Sequence, residues 1–284
     1  MTINPSRRSF LGAAAGAAGL SALSPFHASA VIEPEPGGIK IGIATYSLRS
    51  FDRPAAIAML KKLQVKYISI KDQFHLKQEL TADELRTARK EFDDAGFVVT
   101  SGGNVDMSKG STIEYLRPKF EYAKNAGLPM MVCAPTHENI KNVEALVNEY
   151  NIRIAIHNHG PEDKHFPSPE SVLEAVNTLD KRCGLCMDIG HATRAGSDVV
   201  KCAAQAGDRL FDMHVKDLRT KTDKDSQCDM GDGVLPIPAL FKQLKKMGYT
   251  GCVNLEYEIN AKDPMQGMLR SLSYERGVLA GLTA

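Results

Sequence analysis

Between residue 39 and the C-terminus, short apolar runs alternate eight times with longer amphipathic ones, an order that few folds accept. The apolar runs lie at 39–46, 67–71, 97–102, 130–134, 152–157, 184–188, 210–216 and 251–258. Helical patterns fill the intervals at 54–63, 82–95, 112–126, 138–150, 169–179, 198–205, 237–247 and 264–279. Local signals agree with these boundaries. Thr81-Ala-Asp-Glu84 reads as a capping box, and Gly96, Gly127 and Gly248 sit just past helix ends. Strands that alternate with helices must pair in parallel, because each crossover returns the chain to the same edge. Eight such units in about 245 residues match the size of a closed barrel. No G-x-G-x-x-G follows the first strand, which removes the main support for an open doubly wound sheet. The expected fold is α/β, a single-domain (β/α)8 TIM barrel over residues 39–284.

The N-terminus reads differently. Ser6-Arg7-Arg8-Ser9-Phe10-Leu11 precedes an Ala/Gly/Leu run, and Ala28-Ser29-Ala30 has the small residues of a cleavage site. Pro25 and the glycines break the run, which argues against a membrane anchor. Residues 1–30 are expected to be a twin-arginine export signal and 31–38 a Pro/Gly linker. The mature protein would then be periplasmic. Cleavage removes Arg7 and Arg8 and no acid, so 35 basic residues become 33 against 34 acidic ones, a net charge of −1. A chain that close to neutral lacks the electrostatic footprint for nucleic acid or an anionic membrane. Of the six cysteines, Cys183-Gly-Leu-Cys186 has C-x-x-C spacing without a second pair or a redox context, so buried thiols are expected.

Polar residues collect where apolar runs end. Residues two apart on a strand share a face, so the last four strands present His157 and His159, then Asp188, then His214 and Lys216, then Glu256 and Glu258. Strand ends of a barrel meet at its catalytic mouth. Imidazole and carboxylate together suit a borderline divalent cation, and no nucleophile elbow or phosphate-cradling loop competes. A metal with nearby bases fits proton removal beside a carbonyl. The polar segment 221–232, after the seventh strand, is either a substrate lid or a solvated loop.

Ile156-His-Asn-His-Gly160, Cys186-Met-Asp-Ile-Gly-His191, Met213-His-Val-Lys-Asp217 and Asn254-Leu-Glu-Tyr-Glu258 resemble the strand-end motifs of the xylose isomerase-like barrel superfamily, in particular its sugar phosphate isomerase/epimerase branch. The resemblance implies one divalent ion, with Mn expected first and Co, Fe, Zn or Mg compatible. It implies Asp188, His214 and Glu256 as ligands, with His157 at the fourth ligand position. Ketose epimerases of the family carry Glu there, and a Glu also where the second strand ends here in Lys71. The paired carboxylates for two-face proton exchange are therefore broken. Glu256, Glu258, His159 and Lys71 are the candidate proton-transfer groups; His75, His191 and Lys216 are the candidate substrate contacts.

The implied activity is that of a sugar isomerase or epimerase. A 3-keto-glycoside lyase, which needs only one base, is the variant that the missing carboxylate and the export signal favour. A noncatalytic sugar-binding module is the competing class. An abasic-DNA nuclease of the same superfamily conflicts with the charge and with export. Only 6% of residues are aromatic and none is Trp, which leaves few stacking platforms, so a mono- or disaccharide is the expected partner. A homo-oligomer is compatible with all of these readings.

Overall fold

The computed structural model describes residues 38–282. The proposed signal peptide, and all of the linker except Gly38, lie outside the described residues. Strands β1 (Lys40–Ala44), β2 (Tyr67–Ile70), β3 (Val98–Asp106), β4 (Met130–Ala134), β5 (Arg153–His157), β6 (Cys183–Asp188), β7 (Leu210–Val215) and β10 (Cys252–Leu255) form a closed barrel. Every neighbouring pair is parallel, and β1 closes the ring against β10 through Lys40–Cys252 to Ile43–Leu255. Two short strands, β8 (Asp217–Leu218) and β9 (Gln227–Cys228), pair antiparallel within the loop after β7.

Helices α1 (Arg53–Lys62), α2 (Ala82–Asp94), α3 (Ile113–Asn125), α4 (Ile140–Tyr150), α5 (Pro169–Val176), α7 (Val199–Ala206), α8 (Ile237–Lys246) and α9 (Met265–Gly281) fall where the amphipathic patterns place them. The capping box is formed: Thr81 N donates to Glu84 Oε2 at 2.8 Å, and the Thr81 hydroxyl accepts from Glu84 N. Gly96, Gly127 and Gly248 adopt φ of +91°, +59° and +66°, the left-handed stop that a Cβ would strain. One helix has no counterpart in the pattern. Helix α6 (Ile189–Arg194) spans six residues, too few to show a 3.6-residue period, and begins directly at the end of β6.

The two faces of each strand differ in chemistry. Ile154 and Ile156, Leu185 and Met187, Met213 and Val215, and Val253 and Leu255 point outward and are at most 1% exposed. Each is worth about 1.5–3 kcal/mol of burial against the helix layer. The alternate residues point into the barrel and are polar toward its C-terminal end. All six cysteines are buried and unpaired, as expected of structural thiols. Among the described residues, no helix is long and apolar enough to cross a membrane.

Candidate metal centre

Strands β5, β6, β7 and β10 are neighbours in the barrel, so their ends converge on one side of its mouth. There His157, Asp188, His214 and Glu256 each offer one ligand atom, all within 4.8 Å of one another. His157 Nε2 lies 3.6 Å from Asp188 Oδ2, and His214 Nδ1 lies 3.3 Å from Glu256 Oε1. None of the four residues is more than 8% exposed. Both nitrogens of both imidazoles are buried without a hydrogen-bond partner. Such atoms cost free energy unless something binds them, and a cation is a group that would satisfy them.

The charges point the same way. Burial pushes His157 down to about 4, against the pull of Asp188, so its imidazole is neutral. Burial would lower His214 too, but Cys186 and Glu256 outweigh it and raise this imidazole well above its usual range. Burial of Asp188 and Glu256 is overridden, first by the Lys216 ammonium, and both stay ionised. The same carboxylates and Glu258 hold Lys216 charged despite its burial. Three carboxylates thus face one ammonium and one imidazolium. Exchanging the His214 proton for a divalent cation brings the sum to zero, and ligand deprotonation of this kind normally accompanies metal binding. The donor set fits a divalent ion.

A cavity of about 560 Å³ opens above these residues, a size suited to a small organic ligand. Its lining includes His157, His159, His191, Glu256 and Glu258 from the metal side, and Lys71, Gln73, Asn104 and Asp106 from the segment after β2 and from β3. Strand β2 lies four positions round the ring from β6, so Lys71 faces the metal side across the mouth. Its Nζ donates to the Asn104 carbonyl at 2.9 Å and to Asp72.

The profile of the xylose isomerase-like TIM barrel family matches residues 57–274. The chain belongs to that family. The zinc-bound structure of IolI superposes with a TM-score of 0.71 at 18% identity, covering 86% of this chain and 99% of that one. The 3-keto-D-glucoside 4-epimerase YcjR from E. coli superposes at 0.67 with 16% identity, covering 84% and 99%. At these identities the likeness establishes the barrel. The rhizopine catabolism protein MocC of Rhizobium meliloti is 26% identical over 133 residues, 42% of this chain. The chain spans half or less of the length of the first curated relatives it matches, 39% in the case of MocC.

Within this xylose isomerase-like barrel, the four sequence motifs resolve into separate tasks. Asn158 locks two ligand-bearing strands together: its Nδ2 donates to the Asp188 carbonyl at 3.0 Å, and its Oδ1 accepts from Asp188 N at 2.9 Å. Asp188 Oδ1 accepts from His191 N at 2.8 Å, starting α6 while Oδ2 stays in the site. A Cβ on Gly190 would come within 2.6 Å of Lys216 Cγ and Cδ, so the glycine leaves room for the lysine stem. Asp217 gathers loop backbone, accepting from Leu218 N, Gly231 N, Gly233 N and Leu235 N at 2.9–3.1 Å.

Most expected site residues meet here, with two differences. His75 is fully buried and absent from the cavity wall; Nδ1 lies 3.0 Å from Thr45 Oγ1 and Nε2 3.2 Å from the Phe51 carbonyl. It braces the β2 end rather than touching substrate. Lys216, expected to touch substrate, is 4% exposed and sits 3.0 Å from Asp188 Oδ2 and 2.8 Å from Glu256 Oε2. It is the counter-ion of the proposed ligands. His191 does face the cavity. Arg194 Nη1, always a donor, lies 3.3 Å from His191 Nδ1, which leaves Nε2 carrying the proton.

The segment 221–232 holds a residue that composition could not single out. Gln227 donates from Nε2 to the Glu256 carbonyl at 2.7 Å and accepts at Oε1 from Glu258 N at 2.9 Å. Through it the β8–β9 hairpin clamps the end of β10. Only long-range closure reveals such a contact.

Proposed function

We propose that the chain is a divalent-metal-dependent enzyme of the isomerase/epimerase type, removing a proton next to the carbonyl of a small sugar or sugar derivative. The observation that carries this reading is the set of four buried donors with unpartnered imidazoles at the mouth of a sugar-sized cavity. IolI with its zinc, and YcjR as an epimerase of a keto-glucoside, support it by likeness of fold. An ion held by His157, Asp188, His214 and Glu256 supplies Lewis-acid stabilisation for the negative charge that develops when the proton leaves.

The chain's own groups do the rest. Of the cavity carboxylates outside the ligand set, Glu258 is the one that shares Lys216 with Asp188 and Glu256, so the proton passes to its side chain. His191 offers Nε2–H to a sugar hydroxyl, and His159, its ring centroid 4.9 Å from that of His191, lines the same wall. Across the mouth the Lys71 ammonium stabilises or protonates an oxygen on the far side of the substrate.

A 3-keto-glycoside lyase is the second reading, favoured by two observations. His157 and Lys71 stand where the ketose epimerases of the family carry their two opposed carboxylates, and elimination needs one base where two-face exchange needs two. A neighbouring cavity of about 300 Å³ shares His191, Lys216 and Glu258 with the centre and gives a departing aglycone room. Export through the twin-arginine signal, which we propose as well, would bring the enzyme to glycosides in the periplasm. Proton NMR of the Mn-loaded protein with free ketoses and 3-keto-glycosides in deuterated water tests both readings. Deuterium beside the carbonyl supports enolisation; aglycone release selects the lyase, and an altered sugar without release selects the isomerase or epimerase. Sugar binding without exchange would overturn both in favour of a binding module.

A further inference from the structure

Asp188 is not the only donor that β6 sends into the barrel. Cys186, two residues earlier on the same face, lies one layer deeper and is fully buried. One donor atom each from His157, Cys186 and His214 lies within 4.8 Å of the others, so the thiol and the carboxylates address the same two imidazoles. The other thiols differ. Cys202 and Cys252 donate to Glu170 and Asn254, Cys133 and Cys183 pack in the outer core, and Cys228 lies in the β8–β9 hairpin. Cys186 faces two rings that are 3% exposed and have no hydrogen-bond partner on either nitrogen.

Two donor sets therefore overlap at one position. The upper set, two nitrogens and two carboxylate oxygens, suits harder ions such as Mn²⁺ or Mg²⁺. The lower set, two nitrogens and one sulfur, suits Zn²⁺, Co²⁺ or Cd²⁺. Because both imidazoles are shared, the sets are alternatives for a single ion and not a two-metal site. We infer that Cys186 is a ligand for the softer ions, so that the identity of the metal decides whether Asp188 and Glu256 are bound to it or left free beside Lys216. This rests on the metal centre proposed above. Coordination breaks the S–H bond and forms a metal–sulfur bond; the proton goes to solvent, and no electrons are exchanged.

The test uses the full chain loaded with Co²⁺. A sulfur-to-cobalt charge-transfer band in the near ultraviolet is expected in the wild type. It should vanish in Cys186→Ser and persist in Cys133→Ser. The Zn²⁺-over-Mn²⁺ affinity ratio should fall by about 10- to 100-fold in Cys186→Ser, the range typical of losing a metal-site partner. X-ray absorption of the zinc-loaded wild type needs no substitution: a sulfur neighbour at about 2.3 Å is expected, against nitrogen and oxygen alone at about 2.0–2.2 Å. Bound cobalt with visible d–d bands but no charge-transfer band, or zinc with no sulfur neighbour, overturns the inference and leaves the metal centre standing. Failure of any divalent ion to bind overturns both.

Discussion

The ammonium of Lys216 lies 2.8 Å from Glu256 Oε2, inside the group of residues expected to hold the metal. A buried carboxylate therefore keeps a cationic partner whether or not an ion is bound. Removing one member of a buried pair leaves the other uncompensated and costs about 3–5 kcal/mol. Lys216→Met should lower the thermal midpoint strongly in chelator, and Mn²⁺ should restore most of the loss by supplying the missing charge. Thermal unfolding with and without metal checks this; an equal loss in both conditions contradicts it.

His157 is the residue that departs from the epimerase pattern. His157→Ala should abolish stoichiometric metal binding, whereas His157→Glu should keep it, because either side chain offers one donor at the end of β5. Metal content after dialysis, read by elemental analysis, distinguishes the two. Full occupancy in the alanine variant would remove His157 from the ligand set.

His75 makes stability depend on pH. Burial lowers its pKa to about 4 in the native state, against the usual 6.5 of a free imidazole. The unfolded chain therefore takes up a proton that the folded chain refuses as pH falls from 6.5 toward 4. Stability is independent of this group above 6.5 and is lost below it, by on the order of 3 kcal/mol once both states are protonated. Urea midpoints across that window should fall in the wild type. They should fall less steeply, by about one proton, in His75→Gln.

Gln227 ties the hairpin loop to the strand that carries Glu256 and Glu258. Gln227→Ala leaves the Glu256 carbonyl and the Glu258 amide, just past β10, without their partner, at a cost of about 1–3 kcal/mol. The expected outcome is a lower turnover number, with metal stoichiometry unchanged because the ligands themselves remain. Loss of metal without loss of turnover would contradict the assigned role.

The barrel was legible because its signals are local: apolar runs, capping residues and terminal glycines each constrain a few neighbouring positions. The proposed ligands were legible for a related reason, since each ends a strand and strand ends meet. His75 and Lys216 were misplaced because what they touch is set by barrel closure. Thr45 and Phe51 lie on another unit from His75, and Glu256 is forty residues from Lys216. Gln227 was hidden among polar neighbours of similar composition. Cys186 could have been found, since the spacing rule that pairs His157 with His159 also pairs it with Asp188.

Asp217 fastens the loop after β7 through four main-chain N–H groups and asks nothing of the loop's side chains apart from room at Gly233. Residues 219–225 are thus free to drift without disturbing His214 or Lys216, immediately upstream. A lineage built on this barrel can exchange that rim segment as a unit and acquire a new preference among substrates while the centre beneath it is inherited intact.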